Sequence, residues 1–131
     1  TLPDVSQTVI VTRTAGRTAV PEREALAGLA AHRATMALFL SAGHVHDTVA
    51  TLLEQYPPTT PVAVVQRASW PQQRIVRGSL ETIAEQATEA SIDRTAMILV
   101  GEALANRGAP SRLYDRSFTH EYRTAAPPGN T

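Results

Sequence analysis

The chain has 131 residues, which is enough for one domain with a substantial core. Its 12 basic and 12 acidic residues balance, and without a basic block the chain lacks the charge distribution of a nucleic-acid-binding protein. It contains no cysteine, which excludes disulfides, thiolate catalysis, zinc fingers and iron–sulfur ligation. No apolar run is long enough to span a bilayer, so neither a nucleic acid nor a membrane is expected as a partner.

Five short runs rich in valine, isoleucine and other apolar residues predict five β-strands. They are residues 8–13, 36–40, 61–66, 73–77 and 95–101. The fourth run is the least apolar, and Trp70-Pro71 before it marks a turn. The third and fourth strands are therefore predicted to pair as a hairpin.

Helical segments are predicted between these strands. The first begins at Pro21, because proline is tolerated in the first turn of a helix. The second covers residues 44–56, where apolar side chains recur at helical spacing. The third is capped by Ser79 and runs to residue 90. Residues 102–107 are expected to form a short helix after the last strand.

The order of these elements, β-α-β-α-β-β-α-β, predicts an α/β fold. We expect a single domain with a mixed sheet of about five strands flanked by helices. Residues 1–124 are expected to form this domain and residues 125–131 a flexible tail.

Common catalytic and nucleotide-binding motifs are missing from the sequence. There is no glycine-rich dinucleotide fingerprint, P-loop or nucleophile elbow. His44 and His46 would point to different faces of the predicted helix, so no metal site is expected. No triad or paired-carboxylate spacing emerges, and the catalytic residues stay unassigned.

Small residues follow three of the predicted strands, at positions 41–43, 68–69 and 101. Ligands of α/β sheets bind outside the carboxyl ends of the strands, and small residues there let a ligand approach the backbone. Ordinary turn chemistry is the alternative explanation. Nearby, Trp70 is either a pocket wall or a packing anchor, and Arg67 either meets a carboxylate or lies in water.

Several segments of the chain, taken in order, resemble one known family. The most specific is Arg67-Ala-Ser-Trp-Pro71. The others are residues 5–13, 16–18, 20–24, 35–41, 56–58, 60–65, 75–78, 95–101 and 113–120. Together they resemble the second domain of the tetrapyrrole methylases, methyltransferases of cobalamin and sirohaem synthesis.

The resemblance implies a homodimeric, cytoplasmic enzyme whose subunit has two domains and binds S-adenosyl-methionine in the cleft between them. The first domain, which brings a glycine-rich loop, is expected to lie outside this chain, because Thr1 falls near the interdomain linker. The implied reaction transfers a methyl group from the sulfonium of the cofactor to a ring carbon of a corrinoid precursor. The carboxylate arms of such a tetrapyrrole substrate suit arginine, and Arg67 and Trp70 are the candidate substrate contacts.

Position-by-position matching to the family implies four cofactor contacts in this chain. Leu40 corresponds to an apolar contact, often methionine, after a strand, and Ala68 to a small residue after the next strand. Ala96 and Met97 correspond to the start of the final strand, near the adenine. Core packing is the alternative role for all four. The alternative function for the chain is a non-enzymatic α/β module for assembly or ligand sensing.

Overall fold

The computed structural model describes residues 1–105, in which five strands and three α-helices alternate. The strands are β1 (Val9–Thr12), β2 (Thr35–Leu38), β3 (Pro61–Gln66), β4 (Arg74–Ser79) and β5 (Ala96–Val100). The helices are α1 (Leu26–Ala30), α2 (Val45–Leu53) and α3 (Ile83–Glu89), with 3-10 turns at Glu22–Glu24, Ala42–His44 and Glu102–Ala105. Within this part of the chain, no helix has the length and hydropathy needed to cross a membrane. The expected tail at 125–131, the resemblance at 113–120 and the end of the 102–107 helix lie outside the described residues.

The five strands form one mixed sheet in the order β1-β2-β5-β3-β4. β1 and β2 are parallel, and the other neighbouring pairs are antiparallel. The ends of β1, β2 and β3 therefore meet the beginnings of β4 and β5 along one edge, which we call the carboxyl edge. This sheet confirms the predicted α/β fold, and the pairing of β3 with β4 confirms the predicted hairpin.

The core lies on one face of the sheet. Alternate side chains of the central strands are buried there, as the two-residue period of a strand requires, and the helices pack over them with Leu52 and Ile83. The strand members of this core are Met36, Leu38, Val62, Val64, Ile98 and Val100. A fully buried side chain of this kind contributes about 2 kcal/mol to stability. This packing holds the central strands in register and so fixes the geometry of the carboxyl edge.

The opposite face of the sheet is apolar and partly open, since the three helices share the core face. Val11 is 64% exposed and Ile75 is 46% exposed. The register places both on the same face as the half-buried Met97, because Val65 pairs with Met97 on one side and with Ile75 on the other. Met97 therefore lies on the open face and not in the core.

Two predicted helix starts are wrong. Ser79 does not cap a helix, because it is the last residue of β4 and α3 begins after Thr82. The Ser79 N–H donates to the Thr82 hydroxyl at 3.1 Å, and a turn separates strand from helix. Pro21 begins only a 3-10 turn, since Ala25 has an extended backbone (ψ 138°) and α1 begins after it.

Candidate functional site

All six residues that the family resemblance singles out lie along the carboxyl edge. Leu40 follows β2, the segment with Arg67, Ala68 and Trp70 follows β3, and Ala96 and Met97 begin β5. The register joins the last two groups, because Gln66 pairs with Ala96 and the Arg67 N–H donates to the Thr95 carbonyl at 2.8 Å. β5 also pairs with β2, through Leu38 and Ile98. One strand thus links the two turns that carry Leu40 and Ala68.

The backbone along this edge is strained. Leu40, Arg67, Ser69 and Thr95 all have left-handed conformations, with φ of 52°, 49°, 68° and 54°. For a residue with a Cβ atom this conformation costs about 1–2 kcal/mol, and for the β-branched Thr95 it is a clear outlier. The left-handed backbone also explains why β2 stops at Leu38, two residues before the predicted end of that strand. Such outliers cluster at ligand-binding sites, where the surroundings hold them in place.

A cleft of about 850 Å³ opens at the β2 and β5 side of the edge. Phe39, Leu40 and Ala96 give it an apolar lining. The loop at residues 14–19, which follows β1, and residues 93–95 before β5 also line the cleft. Its volume lies within the range of about 300–1,000 Å³ that is common for small-molecule sites.

Arg13 and Ser41 hold the 14–19 loop in place. The Arg13 guanidinium donates to the carbonyls of Thr14, Thr18 and Ala19 at 3.2, 3.1 and 3.0 Å. The fully buried Ser41 hydroxyl accepts hydrogen bonds from both the N–H and the hydroxyl of Thr14, each at 3.1 Å. Sequence reasoning missed both roles. The available signals were the polar, arginine-containing segment around the end of the first strand and the small residues at positions 41–43.

The cleft is positively charged in a chain whose net charge is zero. Its described lining includes three arginines, Arg13, Arg17 and Arg94, and one carboxylate, that of Asp93. The Arg94 guanidinium donates to that carboxylate at 3.0 Å, and this hydrogen bond lowers the pKa of the Asp93 carboxyl. Within residues 1–105 the exposed Arg17 has neither a hydrogen-bond partner nor an ion-pair partner. Its guanidinium is free to bind an anion.

The other sequence-predicted residues lie beside the cleft. Ala68 and Trp70 are exposed in the turn between β3 and β4, Trp70 by 55%, and Arg67 is half-buried. They belong to the same edge but not to the described lining of the cleft. Gly101 lies at the opposite edge, where a Cβ atom would come within 3.1 Å of the Thr35 Cα atom. The expectation that it shares a ligand site with the other strand ends is therefore wrong.

No group of three or more histidine, aspartate or glutamate side chains within residues 1–105 is arranged to hold a metal ion. His44 and His46 flank the start of α2, and the His46 Nε2 atom lies 3.1 Å from the Thr88 hydroxyl. The described lining of the cleft offers apolar contact, accessible backbone, arginine charge and the His44 imidazole.

The sequence of this chain also matches the model of a known protein family. The family model of the tetrapyrrole (corrin/porphyrin) methylases matches residues 1–84. The chain belongs to the tetrapyrrole methylases. The resemblance drawn from the sequence segments is thereby confirmed.

The similarity to individual tetrapyrrole methylases is high over nearly the whole chain. The chain is 52% identical over 125 residues to the cobalt-precorrin-4 C(11)-methyltransferase of Methanocaldococcus jannaschii, covering 94% of this chain and 48% of that protein. It is 51% identical over 124 residues to the precorrin-4 C(11)-methyltransferase of Pseudomonas aeruginosa, covering 94% and 50%. The chain thus spans about half the length of these relatives.

Solved structures of tetrapyrrole methylases share the fold. A cobalt precorrin-4 methyltransferase of cobalamin biosynthesis superposes with a TM-score of 0.77 and 43% identity, over 79% of this chain and 44% of that one. The uroporphyrin-III C-methyltransferase of Thermus thermophilus, solved with S-adenosyl homocysteine, superposes with a TM-score of 0.67 over 81% and 47% of the chains. Its 24% identity supports the shared fold alone.

Proposed function

We propose that this chain is the C-terminal half of a precorrin-4 C(11)-methyltransferase, an enzyme of cobalamin synthesis. The observation that carries the proposal is the identity of 52% and 51% to enzymes of this name, over 94% of the chain. The reaction proposed is transfer of a methyl group from S-adenosyl-methionine to the C-11 ring carbon of precorrin-4. Because relatives that act on the cobalt form and on the metal-free form are equally similar, both forms are candidate substrates.

The carboxyl edge fits the cofactor in size and chemistry. Leu40 is 79% exposed although it is apolar and strained, so its side chain is available as a wall for the ligand. Ala68 stands between two left-handed residues, Arg67 and Ser69, and its small side chain leaves their backbone open to a ligand. Ala96 lines the cleft, and Met97 follows it in β5. We propose these four residues as cofactor contacts.

The role proposed for this part of the site is to position the cofactor and the substrate. When bound, S-adenosyl-methionine supplies the methyl group on a sulfonium, which is already a good leaving group. The residues of this chain hold the donor and the ring carbon in line and keep water away from them. Neither step needs a nucleophilic side chain, and we assign no catalytic residue. The half-buried Arg67 and the exposed Trp70 lie at the same edge. We propose that both contact the substrate.

A two-walled site, in which this chain supplies one wall, is supported by the open cleft and by the match to about half the length of the relatives. The proposed second wall is a preceding domain like that of the longer relatives. The family resemblance also predicts a homodimer in the cytoplasm, and both statements stay predictions.

The test joins this chain to the preceding half of the Pseudomonas aeruginosa relative. The fusion is incubated with isotope-labelled S-adenosyl-methionine and with precorrin-4 or its cobalt form. We expect a product that is one methyl group heavier and labelled at C-11 by nuclear magnetic resonance. Methylation of another tetrapyrrole or of another ring position would contradict the proposal. Binding of S-adenosyl homocysteine without any transfer would favour the alternative of a ligand-sensing module.

A further inference from the structure

The cleft holds more positive charge than methyl transfer alone requires. Three arginines and one aspartate line it within the described residues, although acidic and basic residues balance in the chain as a whole. The sulfonium of the methyl donor is itself a cation, so this charge does not serve the reacting end of the cofactor. An anionic ligand group is the partner that such a lining attracts.

The three arginines differ in what their side chains do. The Arg13 guanidinium is occupied by three carbonyls of the 14–19 loop. Arg94 binds Asp93 and is exposed by 78%. Arg17 lies on the loop that Arg13 and Ser41 hold, and within residues 1–105 its guanidinium contacts no acceptor. A planar guanidinium on an immobilised loop is suited to bidentate binding of a carboxylate.

We propose that Arg17 binds a peripheral carboxylate of the tetrapyrrole substrate. The inference rests on the proposed function and extends it, because it names a substrate contact that the sequence did not single out. Arg13 acts as a positioning residue, since it holds the loop that carries Arg17 and has its own donors occupied.

The cofactor also carries a carboxylate, on its methionine end. The experiment must therefore distinguish binding of the substrate carboxylate from binding of the cofactor carboxylate. Uroporphyrin, a stable tetrapyrrole with an acetate and a propionate on every pyrrole ring, serves as the substrate-like probe. S-adenosyl homocysteine serves as the cofactor-like probe. Both are titrated into the fusion with the preceding half of the relative, uroporphyrin by fluorescence anisotropy and S-adenosyl homocysteine by calorimetry.

Arg17→Ala is expected to weaken uroporphyrin binding about tenfold, because a hydrogen-bonded charge pair is lost. Arg17→Lys is expected to fall between wild type and Arg17→Ala, since it keeps the charge and loses the fork. Arg23→Ala is the matched control, because Arg23 is exposed by 86%, lies outside the cleft and forms only a 3.8 Å contact with Glu24. It should leave uroporphyrin affinity unchanged. None of the three variants should alter the affinity for S-adenosyl homocysteine.

Equal uroporphyrin affinity of wild type and Arg17→Ala, including no binding by either, overturns the inference. A loss of S-adenosyl homocysteine affinity in Arg17→Ala also overturns it, because the carboxylate would then belong to the cofactor. The proposed function fails separately, if the wild-type fusion binds S-adenosyl homocysteine but methylates neither form of precorrin-4.

Discussion

Leu40 shows how a single residue can be held in a conformation that its own chemistry disfavours. Its φ of 52° is costly for a residue with a branched side chain, and at 79% exposure its side chain gains little from burial. Folding alone would favour glycine at this position. The proposed contact of the exposed isobutyl group with the cofactor would account for leucine at this position.

Replacing Leu40 by glycine is therefore expected to leave the protein no less stable and up to about 1 kcal/mol more stable. The same change should weaken S-adenosyl homocysteine binding in the fusion, because the apolar wall is lost. Arg33→Gly is the matched control, since Arg33 is exposed, has φ of 48° and precedes β2 at the other edge. It should change stability similarly and leave affinity intact. Urea unfolding and calorimetry measure the two effects, and an unchanged affinity in Leu40→Gly would remove it from the site.

Tyr56 is a residue whose protonation is coupled to folding. Its hydroxyl donates to the Ala34 carbonyl at 2.6 Å, and burial raises the pKa of Tyr56 from 10.0 to about 12. Between these two pH values the folded state keeps the proton and the unfolded chain loses it. Stability contributed by this group is thus complete below pH 10 and declines as the pH rises towards 12.

Tyr56→Phe is expected to lower the free energy of unfolding at pH 7 by about 1–2 kcal/mol, because the buried Ala34 carbonyl loses its donor. The difference between variant and wild type should shrink above pH 10, where wild type loses the advantage of its protonated tyrosine. Urea midpoints at neutral and alkaline pH measure both effects. A constant difference across that range would show that the pKa of Tyr56 is not raised in the folded state.

At the scale of elements, two serines join loops to the sheet in the same way at opposite edges. The Ser41 hydroxyl accepts from the N–H and hydroxyl of Thr14 at the carboxyl edge. The Ser6 hydroxyl accepts from the N–H and hydroxyl of Thr35 at 3.1 and 2.8 Å, where β2 begins. Comparing substitutions of the two serines therefore separates the contribution of such a contact to stability from its effect on the cleft.

Ser41→Ala and Ser6→Ala are each expected to lower the free energy of unfolding by about 1–3 kcal/mol. Ser41→Ala leaves the N–H and the hydroxyl of Thr14 without this acceptor. Ser6→Ala removes the acceptor of the Thr35 hydroxyl, while the Thr35 N–H keeps a hydrogen bond to the Thr8 carbonyl at 3.2 Å. Only Ser41→Ala should raise the hydrogen-exchange rates of residues 14–19 and weaken uroporphyrin binding. Exchange measured by mass spectrometry and the anisotropy titration provide the readouts. If Ser6→Ala weakened binding equally, the effect would be one of global stability.

For the whole molecule, the decisive feature is a site along one open edge of one sheet. We propose that a preceding domain also contacts a ligand seated there, since the cleft is open and the chain spans about half the length of its relatives. Affinity falls when half of the contact surface is missing, because the loss of translational freedom on binding is unchanged.

The 131-residue chain alone is therefore expected to bind S-adenosyl homocysteine at least about tenfold more weakly than the fusion with the preceding half does. Calorimetry on both proteins, at matched buffer and temperature, gives the ratio. Circular dichroism of the isolated chain serves as the control for folding. Equal affinity of a folded chain and the fusion would contradict the two-walled site.

The local pattern of the sequence determined the elements. Apolar runs placed both ends of all five strands to within two residues, because the alternating or continuous pattern of apolar side chains is a local property of the sequence. Specific segments such as Arg67-Ala-Ser-Trp-Pro71 determined the family, which the match over residues 1–84 confirms. The starts of two helices were predicted less well than the strands. The helices α1 and α3 begin after Ala25 and Thr82, because a turn precedes each of them, whereas the sequence pattern placed both starts earlier.

Tertiary structure alone decided which of these pieces meet. β5 enters between β2 and β3 and runs antiparallel to both, so Thr95 and Ala96 join the turns after β2 and β3 while Gly101 goes to the opposite edge. The loop with Arg17 is joined to the rest of the cleft by Ser41, from the segment after β2, which binds Thr14. Strand order and side-chain contacts of this kind join residues far apart in the sequence. Their energies depend on packing that no local pattern contains.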